Sequence, residues 1–186
     1  TTEMAAVGVT EVAPINWQAL QKFKEKFVSA VPIRTEENLE KMGVKMYHQS
    51  PQFLEDGLLI VEGKKVTYDK VVIATGLIPR PLHFEGSELL KTSDDFLELP
   101  ELPDSMIFIG GGYIAMEFAH IAVRCGVDVT IIERGERVLK MFDESLTSHL
   151  EKVSEDIGIK FIFNATATSA EELRKNIRVG YEKNGE

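Results

Sequence analysis

Short apolar runs alternate with helical repeats in the second half of the chain. Residues 106–109, 127–132 and 159–163 are almost wholly apolar, as is typical of parallel strands buried on both faces. Between them, apolar residues recur every three or four positions, which predicts two amphipathic helices. The predicted apolar faces are Ile114, Phe118, Ile121 and Cys125 in the first helix, and Leu146, Leu150, Val153 and Ile157 in the second. This alternation of strands and helices predicts an α/β fold with a parallel sheet.

The first half of the chain has a different pattern. Residues 1–16 show no clear period and predict a loop, although Asn16 can cap a helix over 17–30. Pro32 is expected to end that helix, and a second helix is predicted over 35–42. The apolar face predicted for the first helix is Leu20, Phe23, Phe27 and Val31.

Several short strands are predicted next. Residues 44–48 resemble a strand, and 52–55, 58–61 and 65–68 are separated by glycine-containing turns, which predicts an antiparallel meander. Residues 68–74 predict a buried strand that ends at Thr75-Gly76. A proline- and glycine-containing stretch then predicts a linker, followed by a short helix over 94–97 capped by Ser93.

A helix and two further strands are predicted at the end of the chain. Asp143 is predicted to cap the helix over 144–157, and residues 165–169 predict a strand or an extended edge. Residues 177–181 resemble one arm of a hairpin whose turn is 183–185, so the arm lacks a partner after it. Unpaired strands leave backbone groups unsatisfied, which predicts that the sequence is part of a longer protein.

Composition and charge narrow the function. The chain has 186 residues, 44% hydrophobic and 27% charged, with a net charge of −9, which disfavours binding to nucleic acid or an anionic membrane. We find no signal peptide and no apolar run long enough to span a bilayer. One cysteine cannot form an intramolecular disulfide, which fits a reduced cytoplasmic setting, so we predict a cytoplasmic protein. The single cysteine, Cys125, predicts a buried, inert thiol, and the four histidines predict no metal site.

A glycine turn follows the strand at 106–109. Gly110, Gly112 and Ala115 form G-x-G-x-x-A, in which the glycines permit a tight turn and a close approach to a pyrophosphate. The following helix would point its N-terminal amides at those phosphates. Glu133 ends the next strand about 20 residues later, where an acid is expected to bind a ribose hydroxyl. The pattern predicts a dinucleotide site.

Three motifs in the same order resemble one known family. GGGYIAMEFAH, IIERGERVLKMFD and VVIATGLIPRP resemble segments of the flavin-dependent pyridine nucleotide–disulfide oxidoreductases, which include glutathione reductase, dihydrolipoamide dehydrogenase and mercuric reductase. The resemblance implies a partial FAD domain over 1–80, a linker over 81–100 and a C-terminally incomplete Rossmann-like NAD(P) domain over 101–186. It implies that the parent enzyme passes hydride from nicotinamide to flavin and acts as a homodimer on a small-molecule or thiol/disulfide substrate.

The resemblance also implies residue roles. Tyr113 would shield the flavin until nicotinamide arrives, and Glu117 would lie beside the nicotinamide. The implied contacts to NAD(P) are Gly110, Gly111, Gly112, Tyr113, Ile114, Ala115, Glu117, Glu133, Arg134 and Lys140, and those to FAD are Ala74, Thr75 and Gly76.

The preferred nicotinamide cofactor depends on opposing charges. Glu133 favours NAD(H) because a carboxylate repels a 2′-phosphate, whereas Arg134 and Lys140 match phosphate-binding bases of NADPH-using members, with Arg137 nearby. We favour NAD(H) because the acid acts at the contact itself.

The sequence departs from the family in several ways. The FAD glycine fingerprint and the C-x-x-x-x-C redox pair are absent from it. Two alternatives therefore stay open: a dinucleotide-binding module without its own activity, and a stand-alone NAD-dependent dehydrogenase. The dehydrogenase would need a proton-transfer residue after Glu133, which we do not find.

Overall fold

The computed structural model describes residues 15–185, which divide into two compact units. One unit is residues 22–79, and the other joins the described residues up to Gln21 with residues 80–185. The expectation of a loop over the first residues lies outside the described part as far as residue 14.

The smaller unit contains most of two helices, α1 (Trp17–Val28) and α2 (Val31–Lys41). The predicted cap is confirmed, since the Ala19 amide donates to Asn16 Oδ1 at 2.8 Å. Pro32 does not end α1 as predicted but lies in the first turn of α2, where its missing N–H has no intrahelical partner to lose. The second helix therefore begins four residues earlier than predicted.

The same unit contains a three-stranded antiparallel meander, which confirms the prediction. Its strands are β1 (Gln52–Glu55), β2 (Leu58–Val61) and β3 (Lys64–Thr67) in the order β1-β2-β3. Two other predicted strands, 44–48 and 68–74, are wrong because both segments lack regular secondary structure. Val72 is 88% exposed, and no strand within the described residues pairs with it. A parallel strand is buried only when neighbouring strands and helices cover it.

The apolar face predicted for α1 is also not buried. Phe23 and Phe27 are 55% and 62% exposed, and their rings contact each other edge to face with centroids 4.9 Å apart. Trp17, at the start of α1, is the residue of this helix that is buried, and it belongs to the larger unit.

A three-stranded parallel sheet forms the centre of the larger unit. It contains β4 (Ser105–Ile109), β5 (Asp128–Ile132) and β6 (Lys160–Ile162), with β5 between the other two. The helix α4 (Tyr113–Arg124) connects β4 to β5, and α5 (Glu144–Asp156) connects β5 to β6. This confirms the predicted α/β alternation, and the carboxyl ends of all three strands meet at one edge of the sheet.

The buried faces of both helices differ from the predicted ones. In α4 the buried residues are Met116, Ala119 and Ala122, whereas Ile114 and Ile121 are 41% and 36% exposed. Because α4 is apolar on most sides, its period does not select one face. The small alanines allow the closest approach to the sheet.

In α5 the buried residues are Thr147 and Ser154, and the predicted Leu146 is 70% exposed. The two hydroxyls donate to backbone carbonyls of their own helix, so they are buried without losing hydrogen bonds. The predicted Asp143 cap is confirmed by bonds from the amides of Ser145 and Leu146 at 2.9 and 3.4 Å.

A two-stranded hairpin ends the described chain. It consists of β7 (Ala165–Leu173) and β8 (Asn176–Lys183), joined by a two-residue turn. The prediction of an unpartnered arm with its turn at 183–185 is wrong, since β8 pairs with the strand before it. The sequence does not indicate this turn because Arg174-Lys175 is not a typical turn pair, although Arg174 has the positive φ of 52° that the turn requires.

The predicted linker packs closely within the larger unit. A 3₁₀ turn (Ser87–Leu89) and the helix α3 (Ser93–Leu97) lie in it. The Ala170 amide of β7 donates to Glu85 O at 2.8 Å, and the buried Phe96 stacks on Phe118 with ring centroids 4.3 Å apart. The capping residue of α3 is Thr92, one residue before the predicted Ser93, in a reciprocal bond pattern with Asp95.

The described residues were also searched for membrane-spanning helices and for clusters of metal ligands. None of the helices within 15–185 is both long and apolar enough to cross a membrane. In the same range, no three side chains of the His, Cys, Asp or Glu types are grouped as a metal site would require.

Candidate functional site

The glycine turn lies at the carboxyl edge of the sheet, between β4 and α4. Gly110 has a φ of 98°, which favours glycine, and its amide donates to Ile132 O at 2.8 Å. The first backbone bond of α4 is donated by Met116 to Gly112 O. The amides of residues 113–115 precede that bond, so the N-terminus of α4 presents free donors that suit an anion.

The two glycines after Gly110 have different surroundings. A Cβ atom at Gly112 would meet no heavy atom within 4 Å, so the space beside it is open to a ligand. A Cβ atom at Gly111 would lie 2.6 Å from Val138 Cγ1 and 3.3 Å from Glu133 Oε2. The protein itself therefore requires glycine at 111, and the open side of the turn is at 112.

Glu133 lies beside this turn, and its carboxylate joins two loops. Oε2 accepts from the Gly111 amide and Oε1 accepts from the Gly135 amide, both at 2.7 Å. Lys140 Nζ lies 3.8 Å from Oε1, and the Glu133 side chain is 12% exposed. Each carboxylate oxygen can accept a second bond, so these contacts leave acceptor capacity for a ribose hydroxyl.

The loop after Glu133 is fixed to the glycine turn. The Leu139 amide donates to Gly111 O at 2.8 Å, and the Val138 amide donates to Glu151 Oε1 at 3.0 Å. Val138 is fully buried, and Leu139 has a positive φ of 51°. The phosphate-binding turn and the basic loop therefore form one hydrogen-bonded assembly.

A shallow depression of about 390 Å³ adjoins this assembly. It is lined by Gly135, Glu136, Arg137, Lys140 and Asn164. Lys140 lies across Gly135 so closely that a Cβ atom there would overlap its ammonium group. Arg134 is exposed, and the Lys140 side chain is 51% exposed. Of these two bases, Lys140 is the one whose ammonium group lies near the Glu133 carboxylate.

Arg137 has a different position from the other bases. Its guanidinium donates to Lys140 O at 3.0 Å, to Thr147 Oγ1 at 3.1 Å and to Phe142 O at 3.4 Å. These bonds connect the loop to the first turn of α5. Its donors are engaged in holding the loop, so Arg137 is a poorer phosphate ligand than Arg134 or Lys140.

The remaining predicted residues fall into two groups. Tyr113, 62% exposed, Ile114 and Glu117 lie on the open side of α4, and Ala115 is half-buried. They are close to the glycine turn along the same helix. Ala74, Thr75 and Gly76 belong to the smaller unit, where all three are exposed and Gly76 has a φ of 77°.

A polar chain connects α4 to α5. Arg124 Nη1 lies 2.9 Å from His120 Nδ1, and His120 Nε2 lies 2.8 Å from Ser154 Oγ, which donates to Leu150 O. Arg124 can only donate, so Nδ1 accepts, and Ser154 Oγ already donates to Leu150 O, so it accepts from Nε2. His120 is therefore a neutral imidazole that carries its proton on Nε2. Burial, and then the nearby Arg124 charge, lowers the pKa of His120.

Cys125 lies where α4 ends and is half-buried. Burial raises the pKa of its thiol, which disfavours the reactive thiolate. This agrees with the interpretation of an inert cysteine.

Sequence reasoning missed several residues of the site. Gly135, Val138 and Asn164 contact or line it, and none belongs to the fingerprint. Two features of the sequence could have indicated them: Gly135 follows Glu133 at the end of a strand, and Asn164 follows β6 at the same edge of the sheet. Ligands of open parallel sheets bind at the carboxyl ends of strands.

These residues together fit a dinucleotide. Free helix amides suit a pyrophosphate, a carboxylate at the end of β5 suits a ribose, and the depression lies beyond that carboxylate.

The sequence of the chain was also compared with those of known proteins. Residues 6–186 match the family model described as pyridine nucleotide-disulphide oxidoreductase. The chain is 28% identical over 183 residues to a dihydrolipoyl dehydrogenase of Staphylococcus aureus, covering 96% of this chain and 39% of that protein. It is 30% identical over 167 residues to a glutathione reductase of Nostoc sp., covering 90% of this chain and 36% of that protein.

A solved structure shows the same fold. The HOCl-induced flavoprotein disulfide reductase RclA from Escherichia coli superposes with a TM-score of 0.82 at 23% identity, covering 91% of this chain and 40% of that one. The chain thus spans about two fifths of the length of these relatives. Since the family model covers nearly the whole sequence, the chain belongs to the pyridine nucleotide-disulphide oxidoreductase family.

Proposed function

We propose that the larger unit binds a pyridine dinucleotide across the carboxyl edge of its sheet. The observation that carries this proposal is the open space at Gly112 beside the free amides of α4, with Glu133 at the end of the neighbouring strand. The pyrophosphate would lie against the amides of residues 113–115, and the adenosine ribose would bond to Glu133. The nicotinamide would extend along α4 towards Tyr113 and Glu117.

In the complete protein, the chain would be part of an FAD-dependent oxidoreductase. The nicotinamide would supply a hydride to the flavin, and this chain would hold the nicotinamide in position, with Tyr113 covering the flavin and Glu117 beside the nicotinamide. We propose that residues 1–80 belong to an FAD domain, 81–100 to a linker and 101–186 to the NAD(P) domain. The substrate would be a small molecule or a thiol/disulfide, and the protein a cytoplasmic homodimer.

We propose NAD(H) as the preferred nucleotide. Glu133 is held in place by two backbone amides, so its carboxylate cannot turn away from a 2′-phosphate without breaking both bonds. Lys140 is half-exposed on a flexible stem and can move. A fixed acid beside a mobile base favours a 2′-hydroxyl over a 2′-phosphate.

A second candidate is a nucleotide-binding module without its own activity. The observation that favours it is the single cysteine of the sequence, because a dithiol needs two cysteines and these residues cannot supply both. An absorption spectrum of the purified protein separates the two. A flavin band that NADH bleaches without oxygen supports the oxidoreductase, and a colourless protein that binds NADH supports the module.

The binding site is tested by replacing Gly112 with valine. We expect NADH, followed by its fluorescence, to bind the Gly112→Val protein at least about tenfold more weakly, because the side chain occupies the phosphate space. The urea midpoint followed by Trp17 fluorescence controls for folding. Undiminished binding by a folded variant would refute the site.

The cofactor preference is tested at Lys140. We expect Lys140→Met to weaken NADPH binding while NADH binding is unchanged. The matched control is Lys160→Met, since Lys160 is also exposed but pairs with Asp128 at 2.8 Å at the opposite end of the sheet. If both variants keep the wild-type ratio of NADPH to NADH affinity, Lys140 does not lie at the ribose.

A further inference from the structure

Asn164 lies just after the carboxyl end of β6, which ends at Ile162. It lines the depression and is exposed. Within residues 15–185 its side-chain amide makes no hydrogen bond, although both of its backbone groups do. An exposed asparagine amide offers two donors and an acceptor to a ligand.

The backbone of Asn164 is held on both sides. Its amide donates to Gly135 O at 2.9 Å, and its carbonyl accepts from the Asn184 amide at 3.0 Å. Its φ of 54° lies in the left-handed region, which asparagine and glycine tolerate best. The bond to Gly135 joins Asn164 to the loop that also carries the Glu133 contact, so the side chain starts from a fixed point beside the proposed ribose.

The position of the depression indicates which part of a dinucleotide reaches it. Gly135 bonds Glu133 through its amide and Asn164 through its carbonyl, so it stands between the proposed ribose contact and Asn164. With the pyrophosphate at the start of α4 and the adenosine ribose at Glu133, the adenine base is the next group and extends over the depression.

We infer that Asn164 recognises the adenine base, with its amide bonded to the 6-amino group and an adjacent ring nitrogen. Asparagine is matched to adenine in this way because it presents an acceptor to the amino hydrogen and a donor to the ring nitrogen. Asn164 is thus a specificity-determining residue for the base. This inference rests on the proposed dinucleotide site.

The test compares NAD⁺ with its 1,N⁶-ethenoadenine derivative, in which the 6-amino donor is lost. Binding of both to the 186-residue chain is measured by calorimetry for the wild type and for Asn164→Gly, which keeps the left-handed backbone. We expect the wild type to prefer NAD⁺ by about tenfold, within the range of one bidentate base contact, and the variant to bind both within about twofold.

The matched control is Asn184→Gly. Asn184 has the same φ of 54° and is exposed, but it does not line the depression. This variant should keep the wild-type preference. The inference would be overturned if the Asn164→Gly protein kept the wild-type preference for NAD⁺, or if the Asn184→Gly protein lost that preference to the same extent. Either result would leave the dinucleotide site standing. Failure of the wild type to bind NAD⁺ at all would overturn the proposed site and this inference together.

Discussion

Gly111 provides the sharpest test of how the glycine turn is held. In the Gly111→Ala protein the new Cβ atom would lie 2.6 Å from Val138 Cγ1, about 1 Å closer than a normal carbon contact. Val138 is fully buried, and the bonds of its amide and of the Leu139 amide hold its backbone on both sides. The valine therefore cannot move without disturbing those bonds.

The cost follows from that overlap. Overpacking of a buried site costs about 1–3 kcal/mol. Stretching the 2.7 Å bond from the Gly111 amide to the Glu133 carboxylate adds part of the roughly 1.5–3 kcal/mol of a bond to a charged group. We expect Gly111→Ala to lower the free energy of unfolding by about 2–4 kcal/mol, a large part of the stability of a typical domain.

The assay is urea unfolding followed by the fluorescence of Trp17, the single tryptophan, which is buried against Phe96 in the same unit. Gly112→Ala is the matched control, since its Cβ atom meets open space and should change stability by less than about 0.5 kcal/mol. In a Val138→Ala background, Gly111→Ala should cost at least about 1 kcal/mol less. Equal stability of the Gly111→Ala and Gly112→Ala proteins would refute the close contact with Val138.

Three further changes test other parts of the larger unit. Folding favours the neutral form of His120, so its contribution to stability is present above its unfolded pKa of about 6.5 and is lost as the pH falls below that value. The fall in the urea midpoint between pH 7 and pH 5 should therefore be smaller in the His120→Gln protein than in the wild type. The exposed control, His149→Gln, should show the same fall as the wild type. Arg137→Met should lower the unfolding free energy by about 1–3 kcal/mol because its hydrogen bonds to the loop and to Thr147 are lost, whereas Arg134→Met should change it by less than about 0.5 kcal/mol. Equal effects of the two variants would show that the Arg137 bonds do not stabilise the loop. Gly86→Ala should destabilise the unit by more than about 2 kcal/mol, since Gly86 has a φ of 81° and abuts the β7 backbone, and a neutral effect would show that the linker does not pack there.

The local signals of the sequence predicted much of the larger unit. The apolar runs, the glycine turn and the caps at Asn16 and Asp143 act over a few residues, so their patterns can be read directly. The predicted cap of α3 is wrong by one residue, because Thr92 and Ser93 are both good capping residues. The meander was predicted for the same local reason, since its turns contain glycine.

Predictions that depended on distant partners were less successful. The segment 68–74 has the composition of a buried strand, but composition does not supply the neighbours that would cover it. The sequence does not reveal the partner of β8, because that partner, β7, is joined to it by a turn without glycine. Both errors concern pairing, which depends on more than the residues of one strand.

The sequence by itself determined the alternation of strands and helices from β4 to β6, the dinucleotide fingerprint and the position of the acid at Glu133, because each depends on residue types at short, regular spacings. Only the tertiary structure decided which face of α4 is buried and that position 111 has no room for a side chain. It also decided that Arg137 holds a loop and that Asn164 lines a depression. These depend on close packing and hydrogen bonds between residues that are distant along the chain, and a spacing pattern contains no record of such distances.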